Sequence, residues 1–171
     1  ETSYKRGFYN DIWRYCISEN EWVHMGQIKD MKPRQGHFSE QVGNKLYIFG
    51  GLSYTPLSDE ELKYYKLNNI SLPSKENIGT FADYFCLEYS NASLNLIDTG
   101  FLPYPITYSR CKYFNNNLYT LTGCTYLNDG CDVEYNNVGK RLLVIKLDQN
   151  NLIIQKKFEI IESFPGTPRY N

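Results

Sequence analysis

The chain has little histidine, almost no net charge and no long apolar run, and each shortage removes a class of function. Two histidines, His24 and His37, occur in 171 residues, and neither stands with Cys or Glu at a ligand spacing. A zinc centre needs such a set, so no metal is expected, and no cofactor. Lys and Arg number 18 against 19 Asp and Glu, without a basic cluster. Nucleic-acid binding leaves a basic patch or stripe in a sequence, so nucleic acid is not expected as a partner. The apolar runs fall far short of the roughly 20 residues that span a bilayer. No phosphate-cradling glycine motif and no nucleophile elbow is present. No secretory signal pattern opens the chain. It begins at Glu1, which fits a processed or partial protein with any signal removed. Cytoplasmic and secreted locations both stay open.

Cysteine is odd in number. The five are Cys16, Cys86, Cys111, Cys124 and Cys131. An odd number leaves at least one thiol free or paired outside the chain. Cys124 and Cys131 flank one loop and can join as a disulfide. Cys16, Cys86 and Cys111 lie in strand patterns, where free Cys acts as a small buried apolar residue. Asn69-Ile70-Ser71 and Asn91-Ala92-Ser93 are sequons, usable for glycosylation in a secreted protein.

Aromatics are plentiful, with 16 Tyr, 9 Phe and 2 Trp, and 42% of the chain is hydrophobic, enough for a core. The key stretch is Asn44-Lys45-Leu46-Tyr47-Ile48-Phe49-Gly50-Gly51. Its apolar run has strand length and suits a pleated surface, and the glycine pair lets the backbone turn or approach a neighbour. It returns as Asn116-Asn117-Leu118-Tyr119-Thr120-Leu121-Thr122-Gly123, displaced by 72 residues, and residues 11–51 align with 83–123 without a gap. Asp11 meets Asp83, Pro33 meets Pro105, Trp13 meets Phe85, Tyr15 meets Leu87 and Trp22 meets Leu94. Leu143 to Asp148 repeats Phe85 to Ser90. Such periodicity marks a repeat architecture.

The pattern resembles the kelch repeat. The residues that carry the resemblance are Pro33-Arg34-Gln35-Gly36-His37, Asn44 to Gly51, Asp11-Ile12-Trp13-Arg14-Tyr15 and Glu21-Trp22. The resemblance implies an all-β fold of four-stranded antiparallel β-propeller blades. Residues 1–171 then form part of one propeller domain. Residues 1–27 hold the outer strands of blade one, 28–99 blade two with a long 52–82 loop, 100–160 blade three, and 161–171 the start of the next blade. Ser58-Asp59-Glu60-Glu61 opens a short helix within the long loop. Propellers typically have about 4–8 blades, so an incomplete ring is expected, completed by blades from the same parent or another chain. In blade three Ile106 stands at the place of Arg34, Ser109 at that of His37 and Thr122 at that of Gly50. An arginine-based site is therefore not carried into that blade.

Arg34 and Arg169 share one repeat position. The resemblance implies arginines near a central channel, some of which contact acidic partners. The alternative is a structural arginine bonding loop carbonyls. His37 reads as a satisfied structural histidine before a catalytic one, and His24 as structural. The acids Asp59, Glu60, Glu61, Asp129, Asp132 and Glu134 read as solvated loop surface rather than paired catalytic carboxylates. The leading reading is a non-catalytic module that binds a protein partner through its blade loops and channel mouth. Its candidate contact residues are Arg34, Tyr54, Tyr64, Tyr65, Tyr126 and Arg169, since Tyr and Arg suit recognition surfaces. The alternative is a carbohydrate-active propeller of sialic-acid mutarotase type, using Arg34, His37 and Arg169. A galactose-oxidase-like copper site lacks the histidines it needs.

Overall fold

The computed structural model describes residues 8–53, 59–67, 79–121 and 142–161. In chain order the elements are β1 (Asp11–Cys16), β2 (Glu21–Gln27), β3 (Phe38–Val42), β4 (Lys45–Phe49), β5 (Leu52–Ser53), α1 (Asp59–Leu67), β6 (Gly79–Thr80), β7 (Asp83–Ser90), β8 (Ser93–Phe101), β9 (Arg110–Phe114), β10 (Asn117–Leu121), β11 (Leu142–Leu147) and β12 (Ile154–Ile161). Among the described residues the fold is all-β apart from the short helix α1. Two four-stranded antiparallel sheets, β3-β4-β7-β8 and β9-β10-β11-β12, have the up-and-down order of propeller blades. The β1–β2 hairpin stands where the outer half of a preceding blade would stand, so among the described residues the ring is incomplete.

Tight turns set the registers. Gly43 takes φ +60° between β3 and β4, and Asn115 and Asn116 take +46° and +58° between β9 and β10. A two-residue turn with positive φ matches the right-handed twist of the strands it joins. Asn91 and Ala92 make the same turn between β7 and β8 at +50° and +60°. Asparagine visits that region readily and alanine does not.

The middle blade is apolar on both faces because it is covered on both. Residues two apart on a strand share a face. Tyr47 and Phe49 on β4, with Tyr84 and Cys86 on β7, pack against Leu118, Leu143 and Ile145 of blade three. The intervening Ile48, Phe85 and Leu87 pack with Ile28 and Met31, and Ile12 of β1 joins them. A one-residue slip would exchange these faces, so both neighbours hold the register. Tyr47 also crosses the junction with a polar group: its hydroxyl donates to the Leu152 carbonyl in the β11–β12 turn.

Two devices fix how blade three meets blade two. The first is the glycine pair. Gly51 N donates to the Ile106 carbonyl at 2.8 Å, and Ile106 N donates to the Phe81 carbonyl at 3.2 Å. A Cβ on Gly50 would lie 2.0 Å from that Ile106 oxygen, and Gly50 has φ +55°. The second is Glu40. Its Oε1 accepts the Tyr113 backbone N–H at 3.1 Å, and Lys112 Nζ lies 3.2 Å from it. Glu40 and Lys112 are 72 apart, the same repeat position on successive inner strands. Opposite charges there favour this neighbour over a second copy of either blade.

Two substitutions separate these backbone effects in chemical denaturation. Gly50→Ala should cost more than about 3 kcal/mol, because a steric clash adds to left-handed strain. Ala92→Gly, in an exposed turn, should instead gain about 1 kcal/mol by relieving a left-handed alanine. A Gly50→Ala variant as stable as the parent would show that the junction is not held as described.

Candidate functional site

Arg34 is the most enclosed charge among the described residues, its side chain 1% exposed. The chain brings it in from the crossing to blade two, just before β3. Its Nη1 donates to Asp83 Oδ1 at 2.5 Å and to the Gly50 carbonyl at 2.8 Å. Its Nη2 donates to Asp83 Oδ2 at 2.8 Å, and its Nε to the Lys32 carbonyl at 3.0 Å. The guanidinium carbon lies 4.4 Å from the Phe81 ring centroid and 5.3 Å from that of Phe85. Two parallel bonds to one carboxylate are the strong form of this pair. This is the geometry of an arginine that bonds a carboxylate and loop carbonyls.

Immediately beyond Arg34 the chain forms an open polar rim. Gln35 and Leu52 exchange backbone bonds at 2.9 and 2.8 Å, and Leu52 pairs with Thr80. The 54–78 segment thus leaves and returns beside Gln35. Blade three reaches the same end of the sheets. Leu121 pairs with both Arg110 and Leu142, so the 122–141 segment leaves and returns there too. Ser109 Oγ ties down this corner, lying 2.7 Å from Thr120 Oγ1 and donating to the Leu121 carbonyl.

Between these two roots stands Tyr108. Its N–H donates to the Gly36 carbonyl at 2.6 Å, and its hydroxyl accepts from Gln35 Nε2 at 3.3 Å. Its φ is +52°, against +62° for Gly36. The two are 72 residues apart, so they occupy one repeat position. Blade two fills that left-handed position with glycine and blade three with a bulky aromatic. A left-handed non-glycine residue costs roughly 1–2 kcal/mol. Tyr108 remains 50% exposed, so burial recovers only part of that cost. Such outliers cluster where function requires them. The sequence signal was available: an aromatic aligned with a repeat glycine.

His37 borders the rim, exposed at its edge. Partial desolvation holds its pKa below the ordinary 6.5, and the nearby Arg34 charge lowers it further. The imidazole is therefore neutral at pH 7, able to donate from one nitrogen and accept at the other. Tyr64 and Tyr65 fall within α1. Tyr54, Tyr126, Arg169, Cys124 and Cys131 lie outside the described residues. The structure thus brings Arg34 and His37 together, with Gln35 and Tyr108 added. Cys16, Cys86 and Cys111 are free thiols. Burial, the largest cause for each, pushes Cys86 up to about 11 and Cys111 up to about 12, so both are protonated and unreactive at neutral pH.

No family model matches the chain. The tRNA wybutosine-synthesizing protein 2/3/4 of Arabidopsis thaliana is 46% identical over 44 residues, which are 25% of this chain and 4% of that protein. The solved structure of YjhT is similar with a TM-score of 0.44 and 15% identity, over 79% of this chain and 34% of that one. The matched regions thus span well under two thirds of either of those proteins.

Two measurements test the electrostatics. Arg34→Met leaves Asp83 without its guanidinium and should cost about 3–5 kcal/mol. Asp83→Leu added beside it should recover part of that loss; no recovery would mean that the pair is not the dominant contact of either residue. For His37 the folded pKa lies below the unfolded value, so the unfolded chain binds more protons between the two. Its contribution to stability is then fully present above pH 6.5 and is lost as pH falls from there towards the folded pKa. Denaturation of His37→Gln across pH 5–7 should show a shallower fall than the parent.

Proposed function

We propose that this chain is part of a kelch-type propeller that acts as a non-catalytic interaction module, binding a protein partner at the end of the blades where both long insertions are rooted. The contact surface is the rim of Gln35, His37 and Tyr108, extended by the insertion tyrosines Tyr54, Tyr64, Tyr65 and Tyr126. Loops on a rigid scaffold concentrate binding residues, and Tyr offers large contact area with a polar tip.

The observation that carries this reading is Tyr108: an aromatic held at φ +52° where the preceding blade has Gly36, and half exposed between the two insertion roots. Stability favours glycine there, and recognition favours tyrosine. A binding site on a strained position is one place where the two demands part.

A peptide library displayed on phage and panned against the chain supplies ligands for the test. Tyr108→Gly should raise the denaturation midpoint, by about 1 kcal/mol of stability. It should also weaken the selected ligands by about tenfold or more, the effect of losing a hot-spot aromatic. Replacing residues 54–78 by a short Gly-Ser linker should weaken the same ligands. Ligands indifferent to both changes would place binding elsewhere and overturn the reading.

A further inference from the structure

The tip of the β7–β8 hairpin carries the sequon Asn91-Ala92-Ser93, and the fold leaves its acceptor atom unused. All three residues are exposed, and Asn91 takes φ +50°. The turn lies at the end of the sheet away from the insertion roots. It stands beside the Gly43-Asn44 turn, where Tyr89 N donates to the Asn44 carbonyl at 2.7 Å. Behind the tip the hairpin is anchored. Leu94 packs against the cluster of Ile48, Phe85 and Leu87, and Arg14 Nη1 donates to the Tyr89 hydroxyl. Ser93 Oγ donates to the Ser90 carbonyl at 3.0 Å and accepts from Asn95 Nδ2 at 3.4 Å.

An N-linked glycan attaches at the asparagine amide nitrogen. Asn10, Asn44, Asn95 and Asn117 each spend that nitrogen on an internal bond. Asn91 spends it on no partner among the described residues. A bulky polar substituent there displaces no contact, and an exposed loop tip tolerates one. The motif is also a departure between repeat copies. Glu19-Asn20-Glu21 stands at its place in the first hairpin and Gln149-Asn150-Asn151 in blade three. None of those asparagines has Ser or Thr two residues on, so the hairpin itself does not require the motif. The other sequon, Asn69-Ile70-Ser71, lies outside the described residues.

We propose that Asn91 is a glycan acceptor, taking an N-linked oligosaccharide from a lipid pyrophosphate donor while the chain is still unfolded in a secretory lumen. The bond from Nδ2 to the sugar C1 forms and the C1–oxygen bond to the pyrophosphate breaks. The lipid pyrophosphate leaves with the electron pair, and Nδ2 gives up one proton. The folded hairpin then holds the oligosaccharide at the end of the blades opposite the insertions. The inference rests on the turn and is independent of the loop rim proposed above.

The test begins with the protein isolated from its own cells. Peptide N-glycosidase in heavy-oxygen water should convert the carboxamide at position 91 to a labelled carboxylate, mapped by tandem mass spectrometry. The whole chain, sent through a eukaryotic secreting host, should carry the same modification. Asn91→Gln and Ser93→Ala should each abolish it, whereas Ser93→Thr and Ala92→Gly, which keep the sequon, should retain it. Protein from its own cells without label at position 91 would overturn the proposal, as would label at Asn69 alone. Secretion of Asn91→Gln from the host while the parent stays inside as an aggregated glycoform would overturn it too, because the folded hairpin would then not accommodate the glycan.

Discussion

A guanidinium shut away from water must be met on every side, and the groups that meet Arg34 come from three separate stretches of chain. Asp83 opens the third strand of blade two, Gly50 ends the second, and Lys32 belongs to the crossing that enters the blade. Removing any one leaves a buried cation partly unsatisfied, which costs several kcal/mol. The pair therefore does more than join two side chains. It requires that crossing, second strand and third strand arrive at one point. Phe81 and Phe85 around the guanidinium exclude water and strengthen the attraction.

From that point the blade junction follows. Gly50 both feeds its carbonyl to Arg34 and leaves room for the Ile106 carbonyl of the next blade. One glycine thus couples the inside of blade two to the entry of blade three. At the corresponding place blade three carries Ile106 itself, fully buried, so no cation has to be met there and the position joins the apolar core between the blades. Glu40 completes the junction by accepting an N–H from the inner edge of β9, an edge that would otherwise be open to pairing.

Much of this was legible in the sequence because it depends on short-range rules. The apolar runs within Asn44 to Gly51 and Asn116 to Gly123 mark strands, and β4 and β10 form where they stand. A serine followed by acids marks a helix start, and α1 begins at Asp59. The partner of Arg34 was less legible, since Asp83 lies 49 residues away and no local pattern links them. Tyr108 is marked in the sequence only by its alignment with the repeat glycine Gly36, and local propensity conceals its conformation. Its backbone angle is imposed by a bond to Gly36 on another blade, and tyrosine's own propensity predicts the opposite conformation. The pKa of His37 likewise depends on partial burial and on the Arg34 charge, which only the folded arrangement creates.

The departures between repeat copies carry more functional information than their agreements. Agreement reports what every blade needs: a strand, a turn, an apolar face. A departure has to be tolerated by what surrounds it, and the surroundings here show how. Tyr108 replaces a glycine at the point where the blade two–blade three junction is most over-determined, beside the Gly51–Ile106 and Gly36–Tyr108 bonds. A rigid frame can hold a strained residue that a looser one would relax. The junction that makes two blades one body is thus also what permits an aromatic to stand exposed at their rim.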